Sequence, residues 1–380
     1  MPQLRKTDWI LFFTIVSMVV FGLAIVTSAS SVMAELKFKS SWYFVIRQGA
    51  WAVVSFAVLV WFKNTNYRRF FAPVWAFAPL GIVMAMLVFV YFADPRRHRW
   101  IAIGSFGNLQ PAEFAKPALI IFLAYFITVR LRAINHMRTL GPALLACGVL
   151  ALTVVIADLG TAVVLASTVV VLFYIAGLER RFLVGAAAIA ALVLVVAVVA
   201  KPYRLARIVG KWDSKFELVD KVSPDGRLKE YIRSSLATRD PRYQALQSRI
   251  AIGSGGMLGV GLAQGKQKLL YLPEAHTDFI YAVVGEELGL WGTTGVLVGF
   301  FIILWRGLRL FFVAPDDFGR YLALGVTVSI VLQALMNMSV VLDIGPTKGI
   351  PLPMISYGGS SLLSTLASLG LLLSVAENSG

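Results

Sequence analysis

The chain has 380 residues, of which 58% are hydrophobic and 14% charged, and its formal net charge is +15. A soluble globular protein carries about 25% charged residues, so this composition excludes an ordinary soluble domain. The single cysteine, Cys147, excludes a disulfide framework and a metal site built on paired cysteines. Because the hydrophobic residues lie in long uncharged blocks, we predict an all-α, polytopic transmembrane helical bundle.

About ten of these blocks are long enough to be membrane spans. They lie near residues 9–29, 43–62, 73–93, 112–130, 141–157, 160–177, 182–200, 278–306, 320–342 and 356–375. The longest segment outside the blocks, about 201–277, separates the seventh block from the eighth. We therefore expect one membrane domain over residues 1–380, with one large loop.

Lysine and arginine are concentrated in alternate short loops. The richer set contains Arg5, Lys6, Lys63, Arg68, Arg69, Arg132, Arg138, Arg180, Arg181, Arg306, Arg309 and Arg320. Cytoplasmic loops are normally the basic ones, which predicts both termini in the cytoplasm and the 201–277 loop outside. That outer loop is also basic, against the usual bias. It favours either an anionic ligand such as a lipid pyrophosphate or anionic lipid headgroups, and no nucleic acid is expected.

Several charged or polar residues interrupt the apolar blocks, where a charge is costly. Glu113 and Lys116 stand three residues apart on one helix face and can pair. Arg47, Asp158 and Asp343 also fall near the outer side of the predicted topology. These side chains could line one outward cavity, or they could form separate structural pairs near helix ends.

The densest group of titratable residues lies where the large loop enters the eighth block. Glu274, His276 and Asp278 occur within five residues there. A carboxylate at a membrane boundary suits a general base for a sugar hydroxyl. The same three side chains could instead bind a divalent cation, and Thr277 or Asp278 could simply cap the following helix.

A glycine-rich stretch, Gly253–Gly265, looks like a phosphate-binding loop. It does not follow a strand within a βαβ unit, so we expect no nucleotide cofactor. The glycines are more consistent with an irregular backbone that runs close to the membrane surface.

Long motifs resemble the SEDS family of FtsW and RodA, in the right order and over nearly the whole chain. They are Arg99–Ile101, Gln110–Lys116, Asp158–Ala162, Gln247–Gly256, Gly265–Lys268, Tyr271–Ile280, Gly285–Gly289 and Pro346–Ser361. The wording of Lys266–Lys268 and Thr347–Gly349 is closer to FtsW. Two departures are Ala157, where the family usually has proline, and a stretch around 211–242 that is longer than usual.

The resemblance implies a peptidoglycan glycosyltransferase that polymerises lipid II outside the cytoplasmic membrane. In that reaction the 4-hydroxyl of an incoming lipid II attacks C1 of a glycan held on undecaprenyl pyrophosphate. Asp278 matches the family's catalytic aspartate, and a divalent cation, Mg or Mn, could lie at Glu274, His276 and Asp278. The substrate-binding residues that we predict are Arg47, Glu113, Lys116, Arg204, Arg207, Gln247, Ser248, Lys268, Glu274, His276, Ser356 and Ser360.

The resemblance also implies a class B penicillin-binding protein as partner, within the bacterial division or elongation machinery. A stripe of small residues could bind the partner's helix or pack within the bundle. The stripe consists of Gly285, Gly289, Gly292, Gly295 and Gly299. A lipid II flippase, an elongation-type role in cell shape and a non-catalytic scaffold are the alternatives. Charges that cluster toward the outer half favour an enzyme over a flippase.

Overall fold

The structure is a computed structural model, and it describes residues 7–94, 98–104, 107–200, 204–205, 209, 241–345 and 349–379. Within these ranges the chain is almost entirely helical. The predicted loop insertion at 211–242 and the site residue Arg207 lie essentially outside the described residues, so both stay predictions.

Eleven helices and one hairpin make up the described part of the chain, besides short 3-10 turns. The helices are α1 Trp9–Phe38, α2 Tyr43–Asn64, α3 Pro73–Ala93, α4 Pro111–Arg130, α5 Met137–Ala157, α6 Leu159–Ile175, α7 Arg180–Val199, α8 Pro241–Gly255, α9 Ile280–Val313, α10 Asp317–Val341 and α11 Gly359–Glu377. The hairpin pairs β1 (Ile101–Ile103) with β2 (Gly107–Leu109) in antiparallel register. The prediction of an all-α membrane bundle is confirmed.

Nine of the described helices are long and apolar enough to cross a membrane, and α6 is apolar but shorter. Several of the predicted ends need correction. The first span was expected to end near residue 29, but α1 continues to Phe38, because 30–38 contains no glycine or proline and the helix stops only where Lys39 turns left-handed. The eighth predicted span likewise continues beyond 306, to Val313.

Aspartate side chains start three of the helices. Asp8 accepts from the backbone N–H of Leu11 at 3.1 Å, and Asp158 accepts from that of Gly160 at 2.9 Å. At the start of α10, Asp316 accepts from Gly319 N–H at 2.8 Å. Each carboxylate satisfies an amide that the first helical turn would otherwise leave without a partner.

Polar contacts gather the two chain ends at one end of the bundle. Thr7 Oγ1 donates to Glu377 Oε1 at 2.7 Å, and the same carboxylate pairs with Lys63. Asp8 pairs with Arg306 Nη2 at 2.6 Å. The N-terminal end of α1 and the C-terminal end of α11 therefore lie on the same side, as the predicted topology requires. Their assignment to the cytoplasm stays a prediction.

The loops that follow α2 and α9 meet at this same end. The buried Tyr67 hydroxyl donates to Asp316 Oδ2 at 2.5 Å, and Arg68 Nε donates to the same oxygen at 2.9 Å. Burial and then the hydrogen bond to Asp316 raise the pKa of Tyr67 well above its ordinary value. The pKa of Asp316 is lowered, because hydrogen bonds from Tyr67, Gly319 and Arg68 outweigh the opposing effect of burial.

Helix α9 is broken at Gly289, whose φ of 63° and ψ of −153° are accessible essentially only to glycine. Tyr281 Oη donates to the backbone oxygen of Thr293 at 3.2 Å. In an unbroken helix, residues 12 apart are separated by about 18 Å along the axis, which a tyrosine cannot span. The break therefore folds the first two turns of α9 back toward the rest of the helix.

Candidate active site

Asp278 lies two residues before α9, at the junction of two loops. The buried side chain of Asn337, on α10, donates through Nδ2 to the backbone oxygen of Asp278 at 2.8 Å and to that of Ile350 at 2.7 Å. Gly349 faces the Asp278 carboxylate so closely that any added Cβ would collide with it. The backbone of Asp278 is therefore tied to α10, and its carboxylate lies against the loop that precedes α11.

Ser356 and Gln48 tie these loops together. Ser356 Oγ donates to the backbone oxygen of Thr277 at 2.5 Å, and Tyr357 N–H donates to the oxygen of His276 at 3.0 Å. Gln48, buried on α2, donates to Ser356 O at 3.3 Å and accepts from Gly358 N–H at 3.1 Å. Ser356 was predicted to bind substrate, but its hydroxyl is engaged with the backbone, which gives it a positioning role in this arrangement.

His276 sits among aromatic rings at the N-terminal end of α2. Its ring centroid lies 4.8 Å from that of Phe44 and 5.8 Å from that of Tyr357. Burial lowers the pKa of His276, Glu274 acts against that shift and Lys37 adds to it. The imidazole is therefore neutral near neutral pH and can accept a proton.

Arg47 reaches the same aromatic group. Its guanidinium carbon lies 4.3 Å from the centroid of Tyr43, a cation–π distance. The guanidinium also hydrogen-bonds the Tyr357 hydroxyl, and burial raises the pKa of that phenol while Arg47 lowers it. The predicted binding residue Arg47 is thus brought beside the loop that carries Asp278.

Lys116 and Glu113 form a buried pair, as one reading of their spacing predicted. Lys116 Nζ lies 2.7 Å from Glu113 Oε2 and 2.6 Å from Gln333 Oε1, and the lysine side chain is 6% exposed. Nearby, Ser360 Oγ accepts from Gln110 N–H at 3.3 Å. These contacts neutralise the Lys116 charge, so its predicted contact with pyrophosphate would require the pair to open.

Lys268, in the loop that precedes Asp278, is engaged in the same way. Its Nζ lies 2.6 Å from Glu287 Oε1 and 2.7 Å from Ser28 Oγ, and the lysine side chain is 4% exposed. The adjacent Glu286 accepts the backbone N–H groups of Lys266 at 2.7 Å and Gln267 at 3.1 Å. The two glutamates thus fasten the loop that precedes Asp278 onto α1 and α9.

The remaining predicted residues lie at varied distances from this centre. Arg204 donates to the backbone oxygens of Ala197 and Val155, both at 3.0 Å, and so joins α7 to α5. On α8, Gln247 is half-buried, and the buried Ser248 donates to Val341 O at 2.7 Å. The roles of Arg204, Gln247 and Ser248 in substrate binding stay predictions.

Glu274 is turned toward its own loop. Thr277 Oγ1 donates to Glu274 Oε2 at 3.1 Å. Across the described ranges, no three His, Cys, Asp or Glu side chains form a group that could hold a metal ion. Glu274, His276 and Asp278 therefore do not fit a three-ligand site in this arrangement, and the Mg or Mn ion stays a prediction.

The glycine stripe of α9 packs mostly against the chain itself. A Cβ on Gly289 would collide with Met257, one on Gly285 would press on Ile252, and one on Gly299 would lie 2.8 Å from Met18 Sδ of α1. Gly295 differs, because no described residue has an atom within 4 Å of a Cβ placed there. It lines an apolar groove of about 550 Å³ between α1 and α9.

Comparison with known proteins identifies the family. The FtsW/RodA/SpoVE family of cell cycle proteins matches residues 8–380. The chain belongs to this family. The resemblance inferred from the motifs is therefore confirmed, and together with its apolar helices it makes the chain a multi-pass membrane protein.

Two members of the FtsW/RodA/SpoVE family show how far the similarity extends. The protein named "Probable peptidoglycan glycosyltransferase FtsW" from Geobacter metallireducens is 34% identical over 381 residues, 99% of this chain and 96% of that protein. Stage V sporulation protein E of Bacillus subtilis is also 34% identical, over 99% of both chains.

Solved structures of the family share the fold. A chain from a peptidoglycan synthase complex that coordinates polymerization and crosslinking matches with a TM-score of 0.71 and 26% identity, over 98% of both chains. The rod shape determining protein RodA of Thermus thermophilus matches with a TM-score of 0.64 and 24% identity, over 99% of this chain and 98% of RodA. The helical architecture described above is therefore that of the family.

Proposed function

We propose that this protein is a peptidoglycan glycosyltransferase that polymerises lipid II on the outer face of the bacterial cytoplasmic membrane. The observation that carries the proposal is the placement of Asp278, held by Asn337 and Gly349 where the two motif-bearing loops meet. The names of the full-length FtsW relatives support the same activity.

In the proposed reaction Asp278 is the general base. Its carboxylate accepts the proton of the 4-hydroxyl of the incoming lipid II while that oxygen attacks C1 of the growing glycan. The new bond joins O4 to C1, the bond between C1 and the phosphate oxygen breaks, and undecaprenyl pyrophosphate leaves. The backbone of Asp278 is bonded to the buried Asn337 and its carboxylate lies against Gly349, so the base is preorganised for this transfer.

Cationic side chains near Asp278 would stabilise the departing pyrophosphate. Lys116 and Lys268 are each neutralised by a buried carboxylate, whereas Arg47 stands beside the catalytic loop, against the Tyr43 ring and the Tyr357 hydroxyl. Among the predicted cations, we therefore propose Arg47 as the main contact of the departing pyrophosphate. A guanidinium can donate two parallel hydrogen bonds to a phosphate, which suits it to this role.

We also propose that the groove between α1 and α9 receives the single transmembrane helix of a class B penicillin-binding protein. The groove is apolar, lies beside Gly295 and is lined on the α1 side by Phe13, Ser17 and Phe21. Small residues allow close approach of helix backbones in a membrane. In the proposed topology both termini lie in the cytoplasm. We propose that the protein works in the division machinery.

The flippase alternative would require a polar passage through the bundle. In the described residues, the cavity beneath Lys116 is lined by Gln333 and by hydroxyls such as Ser364 and Ser368, but it measures about 10 Å³. That volume holds about one water molecule, far less than a lipid headgroup. This arrangement favours an enzyme over a transporter.

The test of the proposal is Asp278→Asn in purified protein given lipid II, with and without the partner. Glycan polymer should fall at least a hundredfold while the protein stays folded and membrane-inserted. Asp317→Asn, at the opposite end of the bundle, is the matched control and should polymerise normally. Near-normal polymer from Asp278→Asn would refute the role of this carboxylate as base.

A further inference from the structure

The loop that follows α8 presents apolar side chains on its outside. Met257, Leu258 and Leu262 are 66%, 81% and 55% exposed. The sequence from residue 250 to residue 265 contains no charged residue, although Arg249 and Lys266 flank it. An exposed apolar surface of this kind on a folded protein marks a binding surface.

The backbone of this loop is fixed onto the break in α9. Leu290 N–H donates to Gly256 O, Val260 N–H donates to Glu286 O and Gly261 N–H donates to Glu287 O, each at 3.0 Å. Gly259 adopts a positive φ of 80°, and a Cβ there would collide with the Glu287 carbonyl. The loop therefore occupies one defined depth along α9.

Two polar contacts between α1 and α9 indicate where the loop lies relative to the membrane. One is the Asp8–Arg306 pair, and the other joins Ser28 Oγ to Glu287 at 2.6 Å. Asp8 and Ser28 are 20 residues apart, and Glu287 and Arg306 are 19 apart. At about 1.5 Å of rise per residue, the interval on the unbroken helix α1 is roughly 30 Å, the thickness of the hydrocarbon core. The Ser28–Glu287 contact therefore marks a membrane boundary, and the loop lies at that boundary.

We propose that Met257, Leu258 and Leu262 insert into the acyl chains of the leaflet on the Asp278 side, so that the loop is an interfacial anchor. The adjacent α9 residue Leu290 is 53% exposed, and it continues the lipid-facing surface of this span beside the loop. Apolar groups inserted at an interface reach about 5–10 Å into the boundary between headgroups and chains. The hydrogen bonds to α9 satisfy backbone groups that such insertion would otherwise leave without water.

The test places single cysteines in the full-length protein, in a Cys147→Ser background, and labels them with an environment-sensitive fluorophore. Leu258→Cys is the test site, Phe301→Cys in the middle of α9 is the lipid reference and Lys39→Cys beyond α1 is the water reference. In phosphatidylcholine vesicles with brominated acyl chains, quenching at 258 should reach at least half that at 301 and several times that at 39. A charged maleimide added to unlabelled protein should react with Leu258→Cys at least tenfold more slowly than with Lys39→Cys.

Labelling and quenching at 258 that match those at 39 would overturn the anchor. Protection from the maleimide without quenching would overturn it as well, since something other than acyl chains would then cover the loop. Leu262→Cys provides a second reading, should Leu258→Cys fail to fold. The readout uses no lipid II, so it is independent of the proposed glycosyltransferase activity.

Discussion

Asn337 bridges the backbone oxygens of Asp278 and Ile350 with one amide group. The bridge joins the end of the loop before α9 to the segment before α11, and it starts from a residue buried on α10. The position of the proposed base thus depends on a side chain that binds its backbone oxygen.

Replacing Asn337 with alanine should therefore impair polymerisation by misplacing Asp278. Two buried carbonyls would lose their donor, which costs about 1–3 kcal/mol of stability. A small displacement of a catalytic group lowers kcat by roughly tenfold to a hundredfold. We expect kcat for lipid II polymerisation to fall by that factor with little change in KM.

Asn135→Ala is the matched control for this variant. Asn135 also bridges two backbone groups, Gly177 O and Glu179 N–H, but it lies at the opposite end of the bundle. It should lose stability without a selective loss of kcat. Equal kcat values for the Asn337 and Asn135 variants, measured below their unfolding temperatures, would contradict the positioning role.

Variants of the buried Lys268–Glu287 pair can show whether Lys268 is a structural residue or binds pyrophosphate. Lys268→Met alone leaves an uncompensated buried carboxylate and should destabilise the protein by about 3–5 kcal/mol. The double variant Lys268→Met with Glu287→Met removes both charges and should recover most of that loss. Thermal unfolding in detergent measures both effects.

Polymerisation by the double variant then decides the role of Lys268. Activity close to that of the unaltered protein would make Lys268 a structural residue, as its contacts with Glu287 and Ser28 indicate. A recovered melting temperature with activity still lost would support the pyrophosphate contact that the sequence predicted.

The Tyr67–Asp316 hydrogen bond predicts a dependence of stability on alkaline pH. The pKa of Tyr67 is raised in the folded protein, chiefly by burial, whereas an unfolded tyrosine titrates near about 10. A raised folded pKa means that the unfolded state loses its proton first. The stability contributed by Tyr67 is therefore complete below about pH 10 and declines as the pH rises further.

Tyr67→Phe should accordingly cost about 1.5–3 kcal/mol at pH 7.5, the range for a hydrogen bond to a charged group. It should also show a smaller loss of stability between pH 9 and pH 11. Tyr243→Phe, on the exposed side of α8, is the control and should change neither quantity. Parallel stability–pH curves for the unaltered protein and Tyr67→Phe would contradict the assignment.

Substitutions at Gly295 and Gly299 distinguish contact with a partner helix from packing within this chain. Gly295 faces the groove between α1 and α9, whereas Gly299 faces Met18. Gly295→Leu should leave the unfolding temperature nearly unchanged but reduce co-purification with the class B penicillin-binding protein at least several-fold. Gly299→Leu should destabilise the protein itself, because overpacking typically costs about 1–3 kcal/mol. Full retention of the partner by Gly295→Leu would exclude the groove as its binding site.

The sequence predicts the membrane bundle well because apolar blocks of about 20 residues have few alternatives in water. It also marks Asp278, since a carboxylate at the start of an apolar block stands out. It allows for the Glu113–Lys116 pair, whose members lie on one helix, but it does not show that Glu287 neutralises Lys268, because that contact joins a loop to the following helix.

The organising roles of Glu286 and Glu287 were missed for a similar reason. Two adjacent acids in an apolar helix are a visible signal. Only the folded chain shows that one accepts backbone N–H groups of the preceding loop and the other pairs with its lysine. The break at Gly289 is equally invisible in composition, because one glycine among several in a helix gives no sign of which of them adopts the unusual backbone angles.

The order in which the chain is synthesised determines when the contacts between its two ends can form. The second helix packs most extensively on the last one, and Glu377 receives both Thr7 and Lys63. The second helix therefore emerges long before its main partner exists. Neighbouring helices can associate as they are inserted, but the contacts of Thr7 and Lys63 with Glu377 form only after the final helix has left the ribosome. Truncation within the last turn of α11 should thus weaken the beginning of the protein as much as its end.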